Sequence, residues 1–133
     1  MNSKIIRDCR LERDRFRELY YFALQYHSWK SNLSKISVLG SPNLDGMPHG
    51  SGAGDPTSSR AIKAAELSHK INIVEQCAYE AGGKELFVAV LKGVTTRNCT
   101  YNWLRNNGYA YCGKNQYYEA RHRFYYLLDK KIY

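Results

Sequence analysis

The sequence predicts an all-α protein in which a long antiparallel helical hairpin precedes a carboxy-terminal helix-turn-helix. Three observations favour this class. Apolar residues recur at three- and four-residue spacing along most of the chain, which is the period of one helix face. All three prolines and five of the ten glycines fall within residues 40–59, so the flanking stretches contain few helix breakers. A length of 133 residues fits one domain, or two small subdomains that share a core.

The first predicted helix runs from Lys4 to about Ile36. Neither proline nor glycine interrupts this stretch. One helical stripe of it is formed by Cys9, Phe16, Leu19, Ala23, Tyr26, Leu33 and Ile36. The opposite face alternates arginine with aspartate and glutamate between Arg7 and Glu18, which is the pattern of a solvated, salt-bridged surface.

A loop over residues 40–59 and a second helix follow. Asp55 and Pro56 indicate the helix start, because the carboxylate caps free amides and proline has no amide proton to leave unpaired. An apolar stripe then continues until Gly82 and Gly83, where the helix is predicted to stop. Two long helices joined by a loop are expected to lie antiparallel. Residues 1–83 therefore form the predicted hairpin subdomain.

Residues 84–133 form the second predicted subdomain, with three shorter helices. These helices are expected over residues 84–94, about 100–107 and about 115–131. The first has apolar residues at helical spacing from Leu86 to Leu91, and the last has them from Tyr117 to Leu128. The sequence Asn106-Asn107-Gly108 ends the middle helix. A short helix, a turn and a longer basic helix are the parts of a helix-turn-helix.

Charge and aromatic content predict a nucleic-acid partner. The chain carries 20 − 12 = +8 formal charges, and residues 84–133 hold nine basic and three acidic residues. Eight of the twelve tyrosines fall in the last 33 residues. A basic domain favours a polyanionic partner, and we expect double-stranded DNA.

The last helix divides into an apolar and a polar face, and the polar face is the expected DNA contact. Asn and Gln pair with adenine, Arg pairs with guanine, and peripheral Lys and Arg hold phosphates. The residues predicted to contact DNA from this helix are Lys114, Asn115, Gln116, Tyr118, Arg121, His122, Arg123 and Lys130. Backbone contacts are predicted for Arg97, Asn98, Thr100 and Arg105. The alternative is an ordinary surface helix whose cations keep the protein soluble.

Three segments resemble one family. They are Ser-Pro-Asn-Leu-Asp-Gly-Met-Pro-His-Gly-Ser-Gly-Ala-Gly-Asp-Pro-Thr at 41–57, Leu-Lys-Gly-Val-Thr at 91–95, and Tyr-Tyr-Glu-Ala-Arg-His-Arg-Phe-Tyr-Tyr-Leu-Leu-Asp-Lys-Lys-Ile at 117–132. With Trp29 and Leu33 on the first helix, they are similar to the RinA and ArpU type phage transcriptional regulators. The Arg-x-Arg-Phe at 121–124 also resembles the last helix of sigma-factor region four.

The resemblance implies a transcriptional activator. Proteins of this type activate late or packaging genes of phages and prophages in bacteria with low-GC genomes. By this resemblance residues 116–123 are DNA readers and host RNA polymerase is a partner. Separately, the apolar stripe of the hairpin is longer than a three-helix domain can cover, so we expect it to contact polymerase or a second copy of the chain. An intramolecular core is the alternative use of this stripe.

Several other classes are not favoured. The amino-terminal stretch is too charged for a signal peptide, and no window approaches the ~20 apolar residues of a membrane span, so we expect a cytoplasmic protein. The four cysteines form no Cys-x-x-Cys pair, so reduced thiols are expected and a zinc site is not. The histidines and acidic residues do not have the spacing of metal ligands, such as His-x-x-x-His. The Gly-rich loop lacks the Gly-x-x-x-x-Gly-Lys signature of a phosphate cradle.

Neither a metal nor a cofactor is therefore expected, and no nucleophile motif indicates an enzyme. Three other functions remain open. A nucleic-acid enzyme would need a metal or a pair of acidic residues, and the sequence indicates neither. A small terminase subunit is also a helical DNA binder, but it assembles rings and binds packaging sites. A phage inhibitor that binds a host protein through its basic face would show no operator preference.

Overall fold

A computed structural model describes residues 11–39 and 56–132, and this part of the chain is all-α, with five helices and no strand. The helices are α1 (Arg13–Leu24), α2 (Tyr26–Leu39), α3 (Pro56–Thr95), α4 (Tyr101–Asn106) and α5 (Lys114–Ile132). The predicted all-α class is confirmed. The proposed Asp55 cap, most of the 40–59 loop, and the first predicted helix before residue 11 lie outside the described residues.

The single amino-terminal helix predicted over residues 4–36 is wrong in one respect, because the chain forms two helices there. The amide of Gln25 donates to the carbonyl of Phe22 at 3.2 Å, which tightens the turn between α1 and α2. Helical bonding then resumes as the Trp29 amide donates to the Gln25 carbonyl at 2.9 Å. Apolar spacing is the same on both sides of this turn, so periodicity alone does not reveal it.

Helices α2 and α3 pack against each other in opposite order. The Tyr26 hydroxyl donates to the Glu75 carboxylate, and the Lys70 ammonium lies 5.6 Å from the centre of the Trp29 ring. Tyr26 contacts Glu75, and the later residue Trp29 contacts the earlier residue Lys70, so the two helices run antiparallel. Helix α1 contacts both α3 and α5.

Helix α3 begins at Pro56, as predicted and within the range given to the loop, and it breaks at Gly83. The backbone of Gly83 has φ 69° and ψ −173°, a conformation that glycine adopts without steric cost. The break interrupts the i to i+4 hydrogen bonds, so carbonyls in the preceding turn need other donors. Arg123 of α5 supplies them, because its Nε and Nη2 donate to the Ala81 carbonyl at 3.0 and 2.8 Å.

The main hydrophobic core is shared by α1, α2, α3 and α5. From α5 it contains Ala120, Phe124, Tyr125 and Leu128, all at most 2% exposed. These side chains pack with residues from both sides of Gly83, among them Leu19, Val74, Cys77 and Val90. The predicted subdomain division at residue 83 stays a prediction, and the core joins the two segments.

A second, smaller core lies under α4. It consists of Ala89, Tyr101, Leu104, Ala110 and Tyr117, which come from α3, α4, the following loop and α5. Helix α4 starts at a capped position, because the Thr100 hydroxyl accepts the Trp103 amide at 3.1 Å. This small core fixes the position of α4 between the end of α3 and the start of α5.

Gly93 allows the close approach of α5 to α3. A Cβ at this position would lie 2.0 Å from the Tyr117 hydroxyl oxygen and 3.1 Å from its Cζ, well inside van der Waals contact. Tyr117 is fully buried. The hydroxyl therefore fits only because residue 93 has no side chain.

We predict that Gly93→Ala destabilises the protein by about 1–3 kcal/mol, because the new methyl group overpacks against Tyr117. Tyr117→Phe should restore part of the loss, since it removes the nearest atom. Urea unfolding of both single variants and the double variant measures the coupling. A Gly93→Ala protein as stable as the original, or the same loss with and without the hydroxyl, would contradict this packing.

We predict a second loss of stability for Arg123→Met, which keeps much of the aliphatic stem but removes both donors to the Ala81 carbonyl. Hydrogen bonds that involve a charged group contribute about 1.5–3 kcal/mol, so the free energy of unfolding should fall by that amount. Lys131→Met is the matched control, because the Lys131 ammonium only pairs with Glu80 at 3.6 Å near the surface and should contribute less than about 1 kcal/mol. Equal losses in the two variants would exclude the capping role.

Candidate nucleic-acid interface

The amino-terminal half of α5 presents an exposed polar stripe. Asn115, Tyr118, Glu119 and His122 line an open depression of about 300 Å³. Lys114 and Gln116 are exposed in the same first turns. Helical spacing explains the stripe. Residues 117, 120, 124 and 128 are buried in the two cores, and the residues of the stripe lie on the side of the helix that faces away from those cores. Helix α5 begins at Lys114, one residue earlier than predicted.

Arg121 lies on the opposite, packed side of α5. It stands four residues from both Tyr117 and Tyr125, which are buried, so the three share one helix face. The Arg121 guanidinium lies 5.3 Å from the centre of the Tyr125 ring. The structure thus separates Arg121 from the polar stripe with which the sequence grouped it.

Two tyrosines beside Arg121, Tyr117 and Tyr125, are buried together with their hydroxyl groups. The Nε atom of Arg121 is buried as well. Burial raises the pKa of Tyr117, and it raises that of Tyr125 to about 12, while the positive charge of Arg121 opposes both shifts. Both tyrosines are therefore neutral at physiological pH.

Arg123 is bound to the Ala81 carbonyl, as described above, so its guanidinium is directed towards the break in α3. Lys130 is exposed, and its ammonium lies 4.4 Å from the Tyr126 ring centre. Lys130 is the sixteenth residue after Lys114, about 24 Å further along the helix. The predicted DNA contacts of α5 are therefore spread over two faces and both ends of the helix.

Helix α4 and the loop before it hold the residues predicted to contact the DNA backbone. Arg97 and Asn98 are exposed in the loop, and Arg105 is exposed on α4. Asn98 has φ 57°, a left-handed conformation that Asn tolerates better than most residues. The Thr100 hydroxyl accepts the amide of Trp103, so its main role here is to cap α4.

His122 and Glu119 set the charge of the depression. Burial lowers the pKa of His122, and the neighbouring Arg121 charge lowers it further, so the imidazole is neutral at pH 7. Neutral imidazole offers one donor and one acceptor. Glu119 adds a carboxylate, which accepts hydrogen bonds from a cytosine amino group but repels phosphate. The depression is therefore suited to polar contacts with bases more than to phosphate binding.

Sequence reasoning did not single out one further group, Lys92 with Trp103 and Tyr109. The Lys92 ammonium lies 6.0 Å from the Trp103 ring centre and 5.4 Å from that of Tyr109. Trp103 is 41% exposed. The sequence signal that could have found this group is a tryptophan at an exposed position of the short helix α4, with the buried residues Tyr101 and Leu104 on either side of it.

The described cysteines are free thiols held in their neutral form. Burial raises the pKa of Cys77 to about 12 and also raises the pKa of Cys99 and Cys112. A thiol is a weak nucleophile and metal ligand compared with the thiolate. Within residues 11–39 and 56–132, no three side chains of His, Cys, Asp or Glu come together as a metal site. No helix in those ranges is long and apolar enough to span a bilayer.

Comparisons of the chain with protein-family models, with curated proteins and with solved structures find no match. The resemblance to RinA and ArpU type regulators therefore stays a prediction from the sequence segments that carry it.

Proposed function

We propose that this chain is a sequence-specific DNA-binding protein that inserts the first turns of α5 into the major groove. One observation carries the proposal: the exposed stripe of amide, hydroxyl and imidazole groups at the amino-terminal end of a helix that is firmly anchored by its other face. Recognition helices of helix-turn-helix proteins contact base edges with this part of the helix.

The arrangement of helices around the smaller core supports the proposal. The end of α3, then α4, then α5 contribute to that core, as three consecutive helices do in a helix-turn-helix domain. Seven residues, 107–113, join α4 to α5, whereas the motif usually has three or four. The longer connection lets the Tyr101 hydroxyl bond the Cys112 carbonyl across it, and this contact holds the connection against α4.

We propose fewer DNA-contacting residues than the sequence alone predicts. We propose Asn115, Gln116 and His122 as contacts to base edges, and Lys114 and Arg105 as contacts to phosphates. Asn115 and His122 line the same depression, and Gln116 is exposed in the first turn of α5. Arg123 instead ties α5 to α3 by capping the Ala81 carbonyl. Arg121 packs on Tyr125 within α5, on the buried side of the helix.

The biological role we propose is activation of phage or prophage late or packaging genes together with host RNA polymerase, in the bacterial cytoplasm. It is supported by the resemblance of the 41–57, 91–95 and 117–132 segments to regulators of that type, and by the net charge of +8. A packaging protein would use the same helix on a different sequence. Enrichment of bound fragments from the genome that encodes the chain distinguishes promoters from packaging sites.

We predict that affinity for duplex DNA falls steeply with salt. About six phosphate contacts would release enough counterions to weaken binding by roughly three decades between about 50 and 200 mM salt. Fluorescence anisotropy of a labelled duplex across that range measures the slope. An affinity that stays constant with salt would contradict a phosphate-binding surface.

We predict that Asn115→Ala and Gln116→Ala reduce specificity. Each should lower affinity for the preferred duplex by about 1–3 kcal/mol, while leaving binding to unrelated duplexes nearly unchanged, because base-edge contacts carry discrimination. The preferred duplex is first selected from a random pool by rounds of binding and amplification.

Asn72→Ala is the matched control, because Asn72 is an exposed amide on α3, outside the α4–α5 unit. It should change neither affinity. Failure of the random pool to converge on any sequence, or equal effects at positions 72, 115 and 116, would exclude α5 as a reading helix.

A further inference from the structure

A stacked aromatic pair lies on the surface formed by α4 and the loop after it. The rings of Trp103 and Tyr109 are nearly parallel, at an interplanar angle of 10° with centroids 5.7 Å apart, which is an offset stack. Trp103 is 41% exposed, while Tyr109 is half-buried against the smaller core. The stack therefore ends in a large aromatic side chain that is partly open to solvent.

One cation, Lys92, lies beside both rings of this stack. The Lys92 ammonium lies within 6.0 Å of both ring centres. Its charge also reaches His27, whose pKa is lowered first by burial and then by Lys92 and Lys30. Within the described ranges neither Lys92 nor Arg97 forms an ion pair with a carboxylate.

A second exposed aromatic side chain, Tyr21, also lies beside a cation near the end of α3. The guanidinium of Arg97 lies 5.9 Å from the ring centre of Tyr21, and Tyr21 is 53% exposed. Arg97 follows the end of α3, five residues after Lys92. Two pairs of a cation with an exposed aromatic ring thus flank the end of α3.

We propose that this aromatic surface, made of Tyr21, Lys92, Arg97, Trp103 and Tyr109, binds unpaired nucleotides of single-stranded DNA, with a base stacked on Trp103. Sites for single strands combine aromatic side chains that stack on bases with cations that follow the backbone. Both components are present here. A base that stacks on Trp103 adds one more flat ring to the Trp103–Tyr109 stack.

Charge decides between this occupant and an apolar protein surface. A hydrophobic partner would bury Lys92 and Arg97 without counter-charges, which is costly. A strand of DNA supplies a phosphate for each base and neutralises the cations. A base also stacks on an aromatic ring whatever its sequence, so this binding needs no base-specific hydrogen bonds.

The inference does not rest on the proposed recognition of duplex DNA by α5. The depression on α5 is lined by Asn115, Tyr118, Glu119 and His122, none of which belongs to the aromatic surface. Apart from Arg97, which the sequence also predicts to contact the duplex backbone, duplex recognition and single-strand binding depend on different residues and can fail separately.

The test uses the full chain and the oligonucleotide (dT)12. The chain has two tryptophans, and Trp29 is only 6% exposed, so stacking on Trp103 should quench the exposed part of the fluorescence. An abasic 12-mer carries the same phosphates without bases. We expect (dT)12 to bind about tenfold more tightly than the abasic strand and to be the only one that quenches. Equal affinities, or binding without quenching, would overturn the proposal.

Variants locate the site. Trp103→Leu should weaken (dT)12 binding about tenfold, and Trp103→Phe should retain most of it because a stacking ring remains. Tyr79→Leu is the matched control, since Tyr79 is 54% exposed but lies on α3 before the Gly83 break. An equal loss in the control would overturn the proposal, as would an equal effect of Trp103→Leu on duplex binding. If Trp103→Leu does not fold, the Phe variant and the abasic comparison still decide.

Charge variants complete the test. Lys92→Gln and Arg97→Gln should each reduce the slope of log affinity for (dT)12 against log salt by about 0.7, the value for one phosphate contact on a single strand. An unchanged slope in both would overturn the assignment of these cations. In the Asn115→Ala and Gln116→Ala variants (dT)12 binding should be unchanged, so loss of duplex specificity alone leaves this inference standing.

Discussion

The packing of α5 against both halves of α3 is the constraint on which the rest of the structure depends. Phe124, Tyr125 and Leu128 enter the main core, and Tyr117 enters the smaller one. A helix buried along one face over most of its length has a fixed orientation. The exposed first turns of α5 therefore project from a rigid base, which is what a helix that reads DNA requires.

The break at Gly83 makes this packing possible and creates a need that α5 itself meets. A helix of 40 residues without a break would be about 60 Å long, too straight for both of its ends to bury a face on the same partner. Glycine turns the chain within one residue, and Arg123 binds the carbonyl exposed by that turn. The close approach at Gly93 fixes the other end of the contact.

Local signals predicted most helix ends, whereas tertiary contacts decided the roles of the arginines. Pro56, Gly83 and the Asn107-Gly108 turn each act through the backbone of a few residues, and the sequence shows them directly. Arg123 and Ala81 are 42 residues apart, and no periodicity links them. Arg121 stands four residues from both Tyr117 and Tyr125, and its Nε is buried beside them, so its place is decided by these two neighbours once they enter the cores. The turn between α1 and α2 at Gln25 could not be predicted from the sequence, because the apolar spacing continues across it.

The tyrosine density of the carboxy-terminal region also has a different meaning in three dimensions. In sequence the tyrosines alternate with basic residues and favour a nucleic-acid surface as a whole. In the structure Tyr101, Tyr117 and Tyr125 are buried, and Tyr111 is almost fully exposed. Most of the pattern therefore builds the two cores, and the buried hydroxyls lie where α5 meets α3 and α1. In this region Trp103 beside Lys92 and Tyr126 beside Lys130 keep the pairing of an aromatic ring with a cation that the sequence pattern suggested for the whole region.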